Sequence, residues 1–265
     1  MHKKRFKTSK NKIIINILII IFIMILIIST ILYLTNIFLR YKETKDLNNL
    51  SEVKNELITT SIDNDNEVND YEKALIDSNN QLHNQNSDMI GWIKIANTTI
   101  DYPVMYTPDN FEKYLRKDFS ENYSLAGLPF LGVGSSVDDP QFNTIIYSHN
   151  MHNGTMFSDI LNYESQKFRE ENPIIEFSTL QEVRKYEVVA AFRIDVVDDP
   201  FKYYNYTNWN DETNQEFIDE IKKRSYYTIE EDFNVSDQML TLSTCDYNSD
   251  DGRFVVVAKR IDNNP

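Results

Sequence analysis

From Ile13 to Leu39 the chain runs for 27 residues without a charged side chain, and no other feature limits its possible folds so strongly. A helix of that length spans the hydrocarbon core of a bilayer. The stretch is longer than the apolar part of a removable leader and lacks a small-x-small cleavage site, so it is expected to remain as an uncleaved anchor. Lys3, Lys4, Arg5, Lys7, Lys10 and Lys12 precede it, and cationic flanks stay in the cytoplasm. The expected order is a cytoplasmic basic tail (1–12), a transmembrane anchor (13–39), a polar stalk with N-terminal helices (40–87) and an extracellular domain (88–265). The protein would then be a single-pass cell-membrane protein.

That topology makes charge and cysteine usage informative. Residues 1–40 hold seven of the 27 Lys and Arg residues and none of the 41 Asp and Glu residues, which leaves residues 41–265 with a net charge of −21. Nucleic acid is excluded as a partner by sign, whereas a basic peptide or a free amine would be attracted. The chain has one cysteine, Cys245, so no internal disulfide forms. Stability must come from a packed core.

After Arg40 the stalk is rich in Asn, Asp, Glu and Lys, with Leu47, Leu50, Val53, Leu57, Tyr71, Leu75 and Leu82 at helical spacing. One or two amphipathic helices packed on the main domain are expected, with part of the stalk disordered. From Met89 to Met105 two short strands flank a turn at Asn97. Further strands are expected at Leu128–Val133, Thr144–Ser148, Ile174–Ser178, Tyr186–Ile194, Met239–Cys245 and Arg253–Ile261. Helical inserts are expected at Gly154–Asn172 and Asn210–Tyr227, the second with acids in its first turn and Lys222, Lys223 and Arg224 near its end. Many short strands with irregular loops mean a mainly β fold, a barrel or a sandwich.

Within Met239–Cys245, Leu240, Leu242 and Thr244 share one strand face, while Thr241, Ser243 and Cys245 share the other. The thiol therefore emerges toward polar surroundings. A thiol nucleophile needs a proton-transfer partner and a group that stabilises the oxyanion. His2 falls in the cytoplasmic tail and His83 in the helical stalk. His149 follows the apolar run "NTIIYS", where a strand gives way to a loop, and His152 lies within that loop. Arg253 stands across the turn-rich "DYNSDDG" from Cys245, at the facing end of an adjacent strand. Each has a plainer reading: a structural histidine, an arginine paired with Asp246, Asp250 or Asp251, and a cysteine serving as a small buried hydrophobe. "HNMH" matches no metal-binding spacing, and neither a metal nor another cofactor is expected.

"TLSTC" with an arginine across a short hairpin, and "NTIIYSHN" about a hundred residues upstream, resembles the sortases, membrane-anchored cysteine transpeptidases of Gram-positive bacteria. "GWIKIANTTIDYPVM", "YSHNMHNGTMFSDILNY" and the helical insert before the cysteine strand resemble the class B branch. The resemblance runs from Met89 to about Arg260 and implies an eight-stranded barrel with an N-terminal helical cap. It also implies Cys245 as nucleophile, His149 as general acid/base and Arg253 as the holder of substrate and oxyanion. Ser243, Thr244 and Asp246 fall at positions implied to bind substrate, and Ser148 stands where members often carry glycine. The implied substrates are exported proteins with a C-terminal Asn-Pro-x-Thr or related Pro-x-Thr motif, joined through a thioacyl-enzyme to a peptidoglycan-precursor amine. No acid is evident to orient His149. Two alternatives are an extracellular cysteine hydrolase, although papain-like enzymes place cysteine before histidine, and a non-catalytic membrane-anchored adhesin or scaffold.

Overall fold

A computed structural model describes residues 3–61, 67–137, 141–228 and 233–261. The strands close on themselves: β1 (Met89–Ile95), β2 (Asp101–Met105), β3 (Phe130–Leu131), β4 (Asn143–Tyr147), β5 (Ile174–Thr179), β6 (Val183–Asp195), β7 (Met239–Cys245) and β8 (Gly252–Arg260) form a barrel in the order β1-β2-β3-β4-β7-β8-β6-β5. Closure decides between barrel and sandwich and removes the exposed edges that a short-stranded sheet would otherwise carry. The β2–β3 and β4–β7 pairs are parallel and the rest antiparallel. Asn97 makes the β1–β2 turn with φ 58°, a left-handed conformation that asparagine tolerates.

Strand alternation sorts the core into layers. Ile93, Ile146, Phe177, Leu240, Leu242, Phe254 and Val256 fill the barrel with their neighbours. The opposite faces of β4, β6 and β8 supply Ile145, Phe192, Val255 and Val257 to a second layer, covered by Phe217, Ile218 and Ile221 of α4 (Asp211–Arg224). Asn210 caps α4 by accepting from the Thr213 N–H at 3.2 Å, satisfying one of the free donors at the helix start.

Three elements differ from the sequence expectations. The strand at Leu128–Val133 is only Phe130–Leu131, because the chain turns away through Gly132 and Gly134, the latter at φ 79°. The insert at Gly154–Asn172 is a 3-10 helix, Ser158–Glu164, followed by the short α3, Gln166–Glu171. Its buried Phe157, Ile160 and Tyr163 recur every three residues, the spacing that stacks side chains on a 3-10 turn. The first part of the stalk is continuous helix, since α1 runs from Lys3 to Ser61.

The chain divides into two compact units, Met1–Asp46 and Leu47–Pro265. In the first, the side chains from Ile13 to Leu39 are exposed on α1, which is the one helix among the described residues long and apolar enough to cross a membrane. In the second, Ile58 packs with Ala74 and Leu75 of α2 (Glu67–His83) against Val183. Leu82 joins Met89 and Trp92, whereas Val53 and Tyr71 stay exposed. Asn79 donates to the carbonyls of Ser178 and Thr179 at 3.0 and 3.1 Å, fixing α2 to the end of β5.

Lys54 is the polar exception in this packing. It is 2% exposed, lies 4.4 Å from the centre of the Trp92 ring and stands 3.8 Å from Asp101. Burial pushes its ammonium from 10.5 down to about 8, against the attraction of Asp101. Between those values the unfolded chain binds a proton that the folded chain has lost, so stability rises with pH across the window. Relative to Lys54→Met, which cannot titrate, the native protein should gain on the order of 1–3 kcal/mol between pH 8 and 10.5. Urea midpoints at both ends measure this, and equal differences at the two would show that Lys54 is solvated.

Candidate active site

Backbone register assembles the site. β7 lies between β4 and β8, with Ser243 opposite Tyr147 in the parallel pair and Cys245 opposite Arg253 in the antiparallel one. Leu240 and Leu242 face the barrel interior, which commits Thr241, Ser243 and Cys245 to the outer face. Thr241 donates to Asn143 Oδ1 at 2.8 Å, and Ser243 Oγ lies 2.7 Å from the Tyr203 hydroxyl. Cys245, at the end of the strand, is only half-buried.

His149 leaves β4 two residues after its last paired position, and its segment is tied to the cysteine strand three times. The Ser148 N–H donates to the Ser243 carbonyl at 3.2 Å, Thr244 Oγ1 donates to the Ser148 carbonyl at 2.8 Å, and Asn150 Nδ2 donates to the Cys245 carbonyl at 3.1 Å. The imidazole Nε2 stands 2.9 Å from the Leu115 carbonyl. A carbonyl only accepts, so the proton sits on Nε2 and the Nδ1 lone pair is left for other use. Burial holds His149 below the usual histidine value of 6.5; the Leu115 carbonyl opposes that and the Arg116 cation adds to it. The ring is neutral at pH 7.

Arg253 donates to the Gly252 carbonyl at 2.8 Å, and among the described residues it has no carboxylate within ion-pair distance. The turn acid nearest in sequence to the thiol is committed elsewhere, because Asp246 lies 3.0 Å from Arg193 Nε. Arg193 also meets Glu164 at 2.8 Å and stacks near Tyr226 and Phe254.

Cys245, His149 and Arg253 line one cleft of about 640 Å³. Ser243 and Thr244 also reach its wall; Asp246 does not. The other walls are mostly apolar, including Leu115, Phe130, Val133 and Tyr147. Burial raises the Tyr147 hydroxyl far above its ordinary value and also raises that of Tyr203, so both remain protonated donors. A mostly apolar cleft holding a thiol, a neutral imidazole and a guanidinium that has no ion-paired carboxylate among the described residues suits attack on a carbonyl whose oxygen becomes negative.

Three contributors were not read from the sequence. The Leu115 carbonyl is a backbone group and leaves no side-chain signal. Tyr203, 40 residues before Ser243, and Tyr204 lie in "FKYYNY", where an aromatic cluster reads as ordinary core.

A Sortase domain family model matches residues 93–261. Sortase B of Staphylococcus aureus is 34% identical over 182 residues, covering 68% of this chain and 73% of that protein. Sortase B of Listeria monocytogenes is 33% identical over 183 residues, covering 68% and 72%. The solved Staphylococcus aureus sortase B–substrate complex superposes with a TM-score of 0.73 at 29% identity, covering 85% of this chain and 99% of that one. With barrel, motif and relatives in agreement, the chain belongs to the sortase family, in its class B branch, and is a sortase-type transpeptidase.

Proposed function

We propose that this sortase cleaves a C-terminal Asn-Pro-x-Thr or related Pro-x-Thr motif of exported proteins and transfers them to a peptidoglycan-precursor amine. The observation that carries this reading is the meeting of Cys245, His149 and Arg253 on one cleft, with the histidine neutral and the arginine free of a carboxylate partner among the described residues. Cys245 Sγ attacks the carbonyl carbon of the motif's Thr, and its proton passes to His149 Nδ1. The oxyanion is held by the Arg253 guanidinium. The C–N bond then breaks, His149 protonates the leaving amine, and a thioacyl-enzyme remains on Cys245. The acceptor amine attacks this thioester and loses a proton to His149; the new amide leaves as the C–S bond breaks, and the released thiolate takes that proton back from His149. Ser243 and Thr244 shape the groove floor, while Asp246 acts by holding Arg193.

Residues 1–12 are placed in the cytoplasm, 13–39 across the membrane, 40–87 as the stalk and 88–265 as the extracellular catalytic domain. That arrangement sets the cleft where exported chains and wall precursors both emerge. The net charge of −21 in residues 41–265 favours an incoming amine.

Cys245→Ala should abolish cleavage of an Asn-Pro-x-Thr peptide without changing the fold, and mass spectrometry of the native enzyme should find an acyl adduct on Cys245. With an added amine the main product should be the amide; acid product alone at saturating amine would make the protein a hydrolase. Arg253→Ala should lower kcat/KM by about 10²–10³, the usual loss when an oxyanion donor is removed. Because burial lowers His149, the imidazole should lose its capacity to accept a proton only below pH 6.5, so the acid limb of kcat/KM should fall there. An acid limb centred near pH 8 would assign that ionisation to another group.

A further inference from the structure

We propose that Asp88 and Tyr114 are positioning residues for His149, acting through the Leu115 carbonyl. This rests on the role given to His149 above. The carbonyl belongs to a one-turn 3-10 helix, Lys113–Arg116, in the long β2–β3 connection. Carbonyls at the end of such a turn have no partner within it, which leaves Leu115 O available to the imidazole. A single short turn in a surface loop does not hold its own orientation. Side chains from the α2–β1 turn supply that hold.

Tyr114 is fully buried beside Leu115. Its hydroxyl accepts from Asn86 Nδ2 at 2.8 Å and donates to Asp88 Oδ2 at 2.9 Å. Asp88 Oδ2 also accepts from Lys113 Nζ at 2.7 Å, and the same ammonium meets Glu121 at 3.0 Å. The turn is thus gripped at two successive residues, Lys113 and Tyr114, immediately before the carbonyl. From the other side Gly127 packs against it: at φ 59°, a Cβ there would stand 2.5 Å from the Tyr114 carbonyl oxygen and 2.6 Å from that of Leu115. Only glycine leaves the two carbonyls in place. The Leu128 N–H then donates to the Tyr114 carbonyl at 2.9 Å. Between this clamp and this backstop the Leu115 oxygen has one position, and the imidazole takes its tautomer from it. The stalk's last helix, fixed to β5 by Asn79, is therefore connected to the proton-transfer group.

The test uses the full-length chain in detergent micelles with 15N-labelled histidine, His149 being assigned by loss of its signals in His149→Gln. Tyr114→Phe removes the hydroxyl, and Asp88→Ala, at a partly exposed position, loosens the same clamp with less risk to folding. Both should speed hydrogen exchange at His149 Nε2 at least tenfold and lower kcat about tenfold with KM nearly unchanged. Asp88→Asn keeps an acceptor for Tyr114 and should stay within twofold of the native enzyme on both readouts. Unchanged Nε2 exchange in Tyr114→Phe and Asp88→Ala would overturn the proposal. Faster exchange with kcat untouched would uphold the hold on the ring and overturn instead the proton-transfer role of His149.

Discussion

The site depends on the pairing of β7 with two different neighbours. The parallel register with β4 sets Ser243 against Tyr147, and the antiparallel register with β8 sets Cys245 against Arg253. Because side chains alternate along a strand, a slip of one residue in either pair would send Cys245 into the barrel and bring Leu242 out. Slippage is opposed from inside by Leu240 and Leu242, both fully buried, and from outside by the Thr241–Asn143 and Ser243–Tyr203 hydrogen bonds. Barrel closure adds a further restraint, since every strand has two partners. Packing and register thus place a thiol and a guanidinium together without any disulfide.

Electrostatics around this frame are divided by role. The domain is strongly acidic, yet Asp246, next to the cysteine, and Asp195, on the strand paired with that of Arg253, are both held by groups other than Arg253. Asp246 meets Arg193, which also meets Glu164. Asp195 accepts from backbone N–H groups at Val197 and Asp198, which holds its carboxyl below the ordinary range. Arg253 is left without an anionic partner among the described residues. A carboxylate beside it would neutralise the charge that an oxyanion needs, and in an apolar cleft that competition would be stronger than in water. The neighbouring arginine serves the opposite purpose: its charge is spent on fixing the residue after the cysteine.

The parts legible in the sequence were those written in side-chain periodicity. Alternation in "MLTLSTC" assigned the leucines to the interior and the thiol to the outer face. The apolar run before His149 marked the end of a strand, and the turn formers between Cys245 and Arg253 marked the hairpin. Long-range partners were not legible. Nothing near Asp246 points to Arg193, more than 50 residues earlier, so a position associated with substrate carries a structural ion pair outside the cleft. The absence of an acid to orient His149 left an apparent gap that the Leu115 carbonyl fills. The insert after His149 contained enough helical spacing to suggest an α-helix, but its three-residue burial period and the positive φ of Met156 select a 3-10 turn.

A carbonyl in place of a carboxylate beside His149 changes the electrostatics of the pair. A carboxylate would strongly favour imidazolium and hold the ring charged near neutrality. A neutral dipole supplies the same orientation with much less stabilisation of the cation, so burial outweighs it and the imidazole stays uncharged. The uncharged ring can accept the thiol proton, and the cation so formed is a stronger acid than one paired with a carboxylate. Such an acid transfers its proton readily to a departing amine. The arrangement therefore suits a reaction that must both take up and release a proton at one nitrogen, provided that the carbonyl does not swing away. A dipole attracts the ring less strongly than a charge would, which leaves the rigidity of the Lys113–Arg116 turn to maintain the geometry.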